Sequence, residues 1–159
     1  MKTMLIFAVG LVGAMMMQMP TTPPMRMGLW EMETTTTMNM PNMPANMPPG
    51  MGTHTTRVTS CLTPESWAKS LAASQQQRSD CVRSNETWSS KGYSFDIACS
   101  KGKMTGHFDF VFDGKEAGHG TTHMTMESPR GTATMDATTT SKFVSSDCGA
   151  VTPDKPVVR

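Results

Sequence analysis

Lys103 to Phe112 reads KMTGHFDFVF, and Asp113 to Glu116 continues it as DGKE. Phe108, Phe110 and Phe112 alternate with His107, Asp109 and Val111, a period of two that sets three aromatic rings on one face of a strand. Asp-Gly is a strong hairpin signal, so the chain is expected to double back there. AGHGTTHMTME (Ala117 to Glu127) runs back, SPRG (Ser128 to Gly131) turns, and TATMDATTTSKFV (Thr132 to Val144) supplies the next strand. Upstream, CVRSNETW (Cys81 to Trp88) and YSFDIACS (Tyr93 to Ser100) flank the turn SSKG (Ser89 to Gly92), which makes another hairpin.

The same pattern reaches the first third of the chain. GLWEMETTTTM starts a strand at Gly28, rich in threonine and tryptophan, and THTTRVTSCL (Thr53 to Leu62) is β-branched and alternating. Between them, MNMPNMPANMPPGM (Met38 to Met51) holds five methionines, four prolines and three asparagines. Its prolines remove ladder donors, so it reads as a long hairpin connection. LTPESWAKSLAAS is the one helical segment: Thr63 suits the N-cap, Pro64 the first position and Glu65 the positive end of the dipole. Trp67 and Leu71 stand one turn apart, and Leu62 can staple onto Trp67, so Trp67 is expected between helix and sheet. The fold class is therefore all-β: about seven antiparallel strands in a meander, as a curved sheet or partly closed barrel, with one short α-helix near 64–74.

Composition bounds the function. The chain has 159 residues, enough for one domain, with 17% charged and 37% hydrophobic residues and a net charge of +1. Such a balance offers no basic stripe for nucleic acid and no polybasic patch for an anionic membrane. MKTMLIFAVGLVGAMMMQM (Met1 to Met19) has one positive residue, an apolar run and then small residues, which reads as a secretory signal cleaved after about 14–19, with VGA (Val12 to Ala14) as one site. The run is too short to span a bilayer, and no membrane span is expected in the mature chain. The domains expected are the leader at 1–19, one disulfide-stapled β domain at 27–149 and a flexible tail at 150–159.

Cys61, Cys81, Cys99 and Cys148 are even in number in an exported chain, which favours disulfides, and no C-x-x-C suggests zinc or redox chemistry. Four cysteines allow three connectivities. The hairpin centred on Ser90 sets Cys81 nearly opposite Cys99, leaving Cys61 for Cys148.

Three further patterns carry chemistry. Of 18 methionines, eight lie between Met25 and Met51; Met38, Met40, Met43 and Met47, with His54 nearby, have spacings that can gather thioethers around Cu(I) or Ag(I). HGTTH (His119 to His123) has a helical ligand spacing, but on a strand four residues separate the rings by ~13 Å. SWAK (Ser66 to Lys69) matches an S-x-x-K motif by chance, since the S-D-N and K-T-G elements that accompany it are absent. NET (Asn85 to Thr87) is a glycosylation sequon relevant only in a eukaryotic secretory route. No catalytic constellation emerges.

Taken in order, the exported leader, GLWEMETT, MNMPNMPANMPPG, CLTPE, MTGHFDF, HMTM and the late DCG resemble a family of small exported bacterial proteins, domain of unknown function 3617, across residues 27 to 149. The resemblance extends to the four cysteines. It implies an envelope location and a small β-rich fold, and it implies no activity and no catalytic residue. The expectation is a periplasmic or secreted, non-enzymatic binding or structural module without a cofactor. An unknown envelope partner or a small apolar ligand would meet the face carrying Phe108, Phe110 and Phe112, unless that face is only the core beneath the helix. The alternative is a Met-rich Cu(I)/Ag(I)-binding protein.

Overall fold

The alternating segments pair as their periodicity requires. The computed structural model describes residues 22–40, 52–75, 80–128 and 131–159. The leader and residues 41–51, which include Met43 and Met47, lie outside the described residues. The elements are β1 (Gly28–Asn39), β2 (Thr53–Leu62), α1 (Pro64–Gln75), β3 (Cys81–Ser89), β4 (Gly92–Cys99), β5 (Met104–Phe112), β6 (Ala117–Ser128), β7 (Gly131–Ser145) and β8 (Val157–Val158).

All strands join one antiparallel sheet in the order β3-β4-β5-β6-β7-β1-β2-β8. Strands β3 to β7 form the meander. The β1–β2 hairpin then docks its first strand on β7, from Leu29 opposite Ser145 to Asn39 opposite Thr134. Strands β3 and β8 end the order without meeting, so the sheet is open and does not close into a barrel. The stretch expected as a flexible tail carries β8: Val157 and Val158 pair with Thr59 and Val58, and Arg57 and Arg159 exchange backbone hydrogen bonds of 3.0 and 2.8 Å. The valine pair thus covers the middle of the outer edge of β2.

Helix α1 begins as its residues dictate. The Ser66 backbone N–H donates to Thr63 Oγ1 at 3.1 Å and the Thr63 N–H to Ser66 Oγ at 2.8 Å, a reciprocal cap. Hydrogen bonds from its own backbone and from Thr63 hold the Glu65 carboxyl below its ordinary value.

Direct cross-strand pairing puts Phe95, Phe108, Thr122, Ala137 and Thr36 in one row, with Tyr93, Phe110, Gly120, Thr139 and Thr34 in the next. The other face carries charged residues, histidines and threonines. Gly118 and Gly120 are needed because the Phe110 ring lies over β6: a Cβ at either position would come within 2.8 Å of that ring. Phe95 and Phe108 stack at 4.7 Å, and Trp88 and Tyr93 at 4.6 Å.

One sheet with one helix cannot cover a whole apolar face. Among the described residues the buried apolar side chains are Trp30, Phe112, Ala133, Ala137 and three half-cystines, and no large side chain falls below 2% exposure. Threonine pairs lace the strands instead, as in Thr34–Thr139 at 3.0 Å and Thr35–Thr55 at 2.9 Å.

Candidate functional site

The aromatic face and α1 together border a half-open cavity of about 400 Å³, within the range of small-molecule sites. Its walls include Trp88, Tyr93, Phe95, Phe108 and Phe110 from the sheet and Trp67 from α1. Phe108 and Phe110 are half-buried, while Phe112 is buried as core. The triplet read as one face thus divides between packing and cavity wall. Trp67 is also only half-buried, in contrast to the expected close seat between helix and sheet, because α1 stands over the cavity rather than closing on the strands.

Ser70, Asp109 and three threonines also line this space, and two further polar groups stand out. Trp67 Nε1 is a buried donor with no hydrogen-bond partner, the single such side-chain atom among the described residues. An unpaired buried donor costs about 1–3 kcal/mol. The second is Arg83, whose guanidinium lies 3.5 Å from the centre of the Phe95 ring and whose Nε is 3.7 Å from Glu86 Oε1. Its side chain is only 14% exposed. A bulge follows it in β3: the register shifts between Ser84 and Thr87, and Asn85 adopts a φ of 51°. Burial raises the Tyr93 phenol above its ordinary value, with the positive charge of Arg83 pulling the other way.

The cysteines lie in two bonded pairs. Cys81 and Cys99 stand directly opposite each other on β3 and β4, with Cα atoms 3.9 Å apart. Cys61 at the end of β2 joins Cys148 beyond β7, with Cα atoms 5.6 Å apart. No free cysteine remains.

The proposed soft-metal ligands are placed in part. Met38, the penultimate residue of β1, is half-buried, Met40 just beyond the strand is exposed, and His54 is exposed on β2. Met38 has neighbours that local spacing does not reveal: Met135 of β7 stands opposite it, and Met124 of β6 stands opposite Met135. Three thioether side chains therefore lie in one row on the apolar face, next to the Met/Pro stretch. The signal in the sequence is the alternation of Met124 and Met135 within their strands, but only the pairing of β1 with β7 unites them.

These features define a disulfide-stapled, open antiparallel β-sheet roofed by one helix over an aromatic cavity. The chain belongs to the family described as protein of unknown function (DUF3617), whose model matches residues 25–148. No curated protein and no solved structure matches it. No helix among the described residues is long and apolar enough to cross a membrane.

Proposed function

We propose that the protein is an exported, non-enzymatic module of the bacterial envelope that holds a small apolar ligand bearing one hydrogen-bond acceptor in the cavity beneath α1. The unpartnered Trp67 Nε1 beside an aromatic-lined space carries this reading, because an acceptor on the ligand would satisfy it while the ligand's body displaced water from the rings. Of the polar residues at the cavity, which also include Ser70, Tyr93, Asp109 and three threonines, the indole N–H and the guanidinium facing Glu86 are the groups that would orient a guest. Two disulfides fit an oxidising, extracellular-type compartment, and the leader supports export to it.

Tryptophan fluorescence tests the reading directly, since Trp67 and Trp88 line the cavity. Titration with anilinonaphthalene sulfonate, and with a short alkyl ketone against the matching alkane, is expected to saturate at one ligand per chain. Trp67→Phe keeps a ring but removes the donor, so the ketone should lose roughly 2- to 10-fold in affinity, the worth of one hydrogen bond, and the alkane should not. Phe108→Asp should abolish both. Absence of saturation, or affinities indifferent to both substitutions, would overturn the proposal.

A second reading, capture of Cu(I) or Ag(I), is favoured by the row Met38, Met135 and Met124. Thioethers select soft monovalent cations, and methionine suits an oxidising compartment that consumes free thiols. Replacing all three by leucine conserves volume and should cost less than about 1.5 kcal/mol per site. If this reading is right, Cu(I) kept reduced by ascorbate will bind the parent and not the triple variant. Equal behaviour of the two proteins would remove it.

A further inference from the structure

The face opposite the cavity carries a row of side chains that neither reading uses. His107 on β5 stands directly opposite His123 on β6, which places their Cβ atoms about 4.5–5.5 Å apart. His107 is flanked by Asp96 of β4 and His123 by Asp136 of β7, each directly opposite in its own pairing. His107 Nδ1 is 2.6 Å from Asp96 Oδ1, and His123 Nδ1 is 2.6 Å from Asp136 Oδ1. Asp96 accepts a further hydrogen bond from Asn85 Nδ2 at 2.6 Å. The row Asn85, Asp96, His107, His123, Asp136 therefore crosses five adjacent strands.

We propose that His107 and His123 form a binding site for a divalent transition-metal ion such as Zn²⁺ or Cu²⁺. An ionised carboxylate only accepts hydrogen bonds, so each aspartate fixes the proton of its histidine on Nδ1 and leaves the Nε2 lone pair free. Carboxylate–imidazole pairs of this kind orient metal-ligating histidines. Imidazole nitrogens suit Zn²⁺, Cu²⁺ and Ni²⁺, whereas the thioether row of the other face suits soft monovalent ions. Both rings line a shallow surface hollow of about 330 Å³ and are more than half exposed, so an ion reaches them from solvent. No group of three or more His, Cys, Asp or Glu side chains gathers at one point among the described residues. The chain thus supplies two nitrogens, and water or a donor atom of another molecule completes the coordination. His119 is outside the site: it pairs with Asp113 at 2.6 Å and lies four residues along the strand from His123.

Calorimetric titration of the untagged protein with Zn²⁺, and paramagnetic resonance with Cu²⁺, test the assignment. One equivalent should bind, and the Cu²⁺ spectrum should show coupling to two nitrogens. His107→Ala or His123→Ala should abolish the event, while His119→Ala and His54→Ala leave it intact. Asp96→Asn and Asp136→Asn should each weaken affinity ~10- to 100-fold, the usual consequence of losing an outer-shell partner. The four histidines and Asp136 are exposed and Asp96 is half-buried, and the asparagine substitution keeps its shape, so thermal melting should stay close to the parent's and separates lost binding from lost folding. Binding that survives removal of both histidines, affinity unchanged in both asparagine variants, or no saturable binding would overturn the site. None of these results bears on the cavity of the opposite face.

Discussion

Trp30→Ala is expected to destabilise the protein by ~3–5 kcal/mol, the cost of emptying a well-filled indole site, and to lower the melting temperature by roughly 6–20 °C. Trp30 is only 4% exposed and meets the Phe143 ring edge-on at 5.9 Å. Its Nε1 donates to the Arg26 carbonyl at 2.9 Å. The Arg26 guanidinium in turn covers Phe143, 4.4 Å from the ring centre, and pairs with Glu116. One indole thus joins the segment before β1, strand β7 and the β5–β6 turn. Trp67→Ala should cost less than half as much, because Trp67 is half-exposed and faces a cavity. Urea unfolding of the two variants decides the ranking, and an equal or larger loss at Trp67 would place the main core beneath α1 instead.

That ranking reverses what the helix pattern alone suggests, and the reason is long-range pairing. Thr63, Pro64 and the alternation of Phe108, Phe110 and Phe112 are local signals, and each produces the element it implies. The Cys81–Cys99 pair is local too: Ser89 pairs with Gly92 across the turn, and the one-residue bulge between Ser84 and Thr87 then brings Cys81 opposite Cys99. Burial of Trp30 depends on β1 lying beside β7, more than a hundred residues away, which no local periodicity encodes. The histidine row was hidden for a related reason. A two-residue turn at Asp113-Gly114 would set Phe112 opposite Lys115, but Asp113 N donates to Ala117 O and Phe112 pairs with Gly118. The longer loop shifts the register by three residues and brings His107 to His123. Spacing along one strand drew attention to His119 and His123, which do not meet. The cavity could not be read from the sequence either, since it depends on where α1 comes to rest.

Loss of the Cys61–Cys148 bridge, as Cys61→Ala with Cys148→Ala, is expected to cost about 4.6 kcal/mol, against about 3.2 kcal/mol for Cys81→Ala with Cys99→Ala. These figures follow from loop-closure entropy over sequence separations of 87 and 18 residues. The contrast should exceed the loop term, because the two bridges brace different places. Cys61 lies on β2 opposite Leu29, and Leu29 also pairs with Ser145 of β7, so the long bridge straddles β1 at the end where Trp30 is buried. The short bridge ties edge strand β3 to its neighbour β4. Little else can compensate: the core is thin, and pairs such as Lys103–Glu127 at 3.3 Å are solvent-exposed and worth ~0–1 kcal/mol each. Against a total stability of ~5–15 kcal/mol, the first double variant should be marginal and the second folded. Urea titration gives both energies, and hydrogen exchange shows where protection disappears. Exchange confined to β3 and β4 is expected without the short bridge, and exchange throughout β1, β2 and β7 without the long one. A larger loss from the short bridge would mean that the β3 edge, rather than the seam around β1, holds the sheet together.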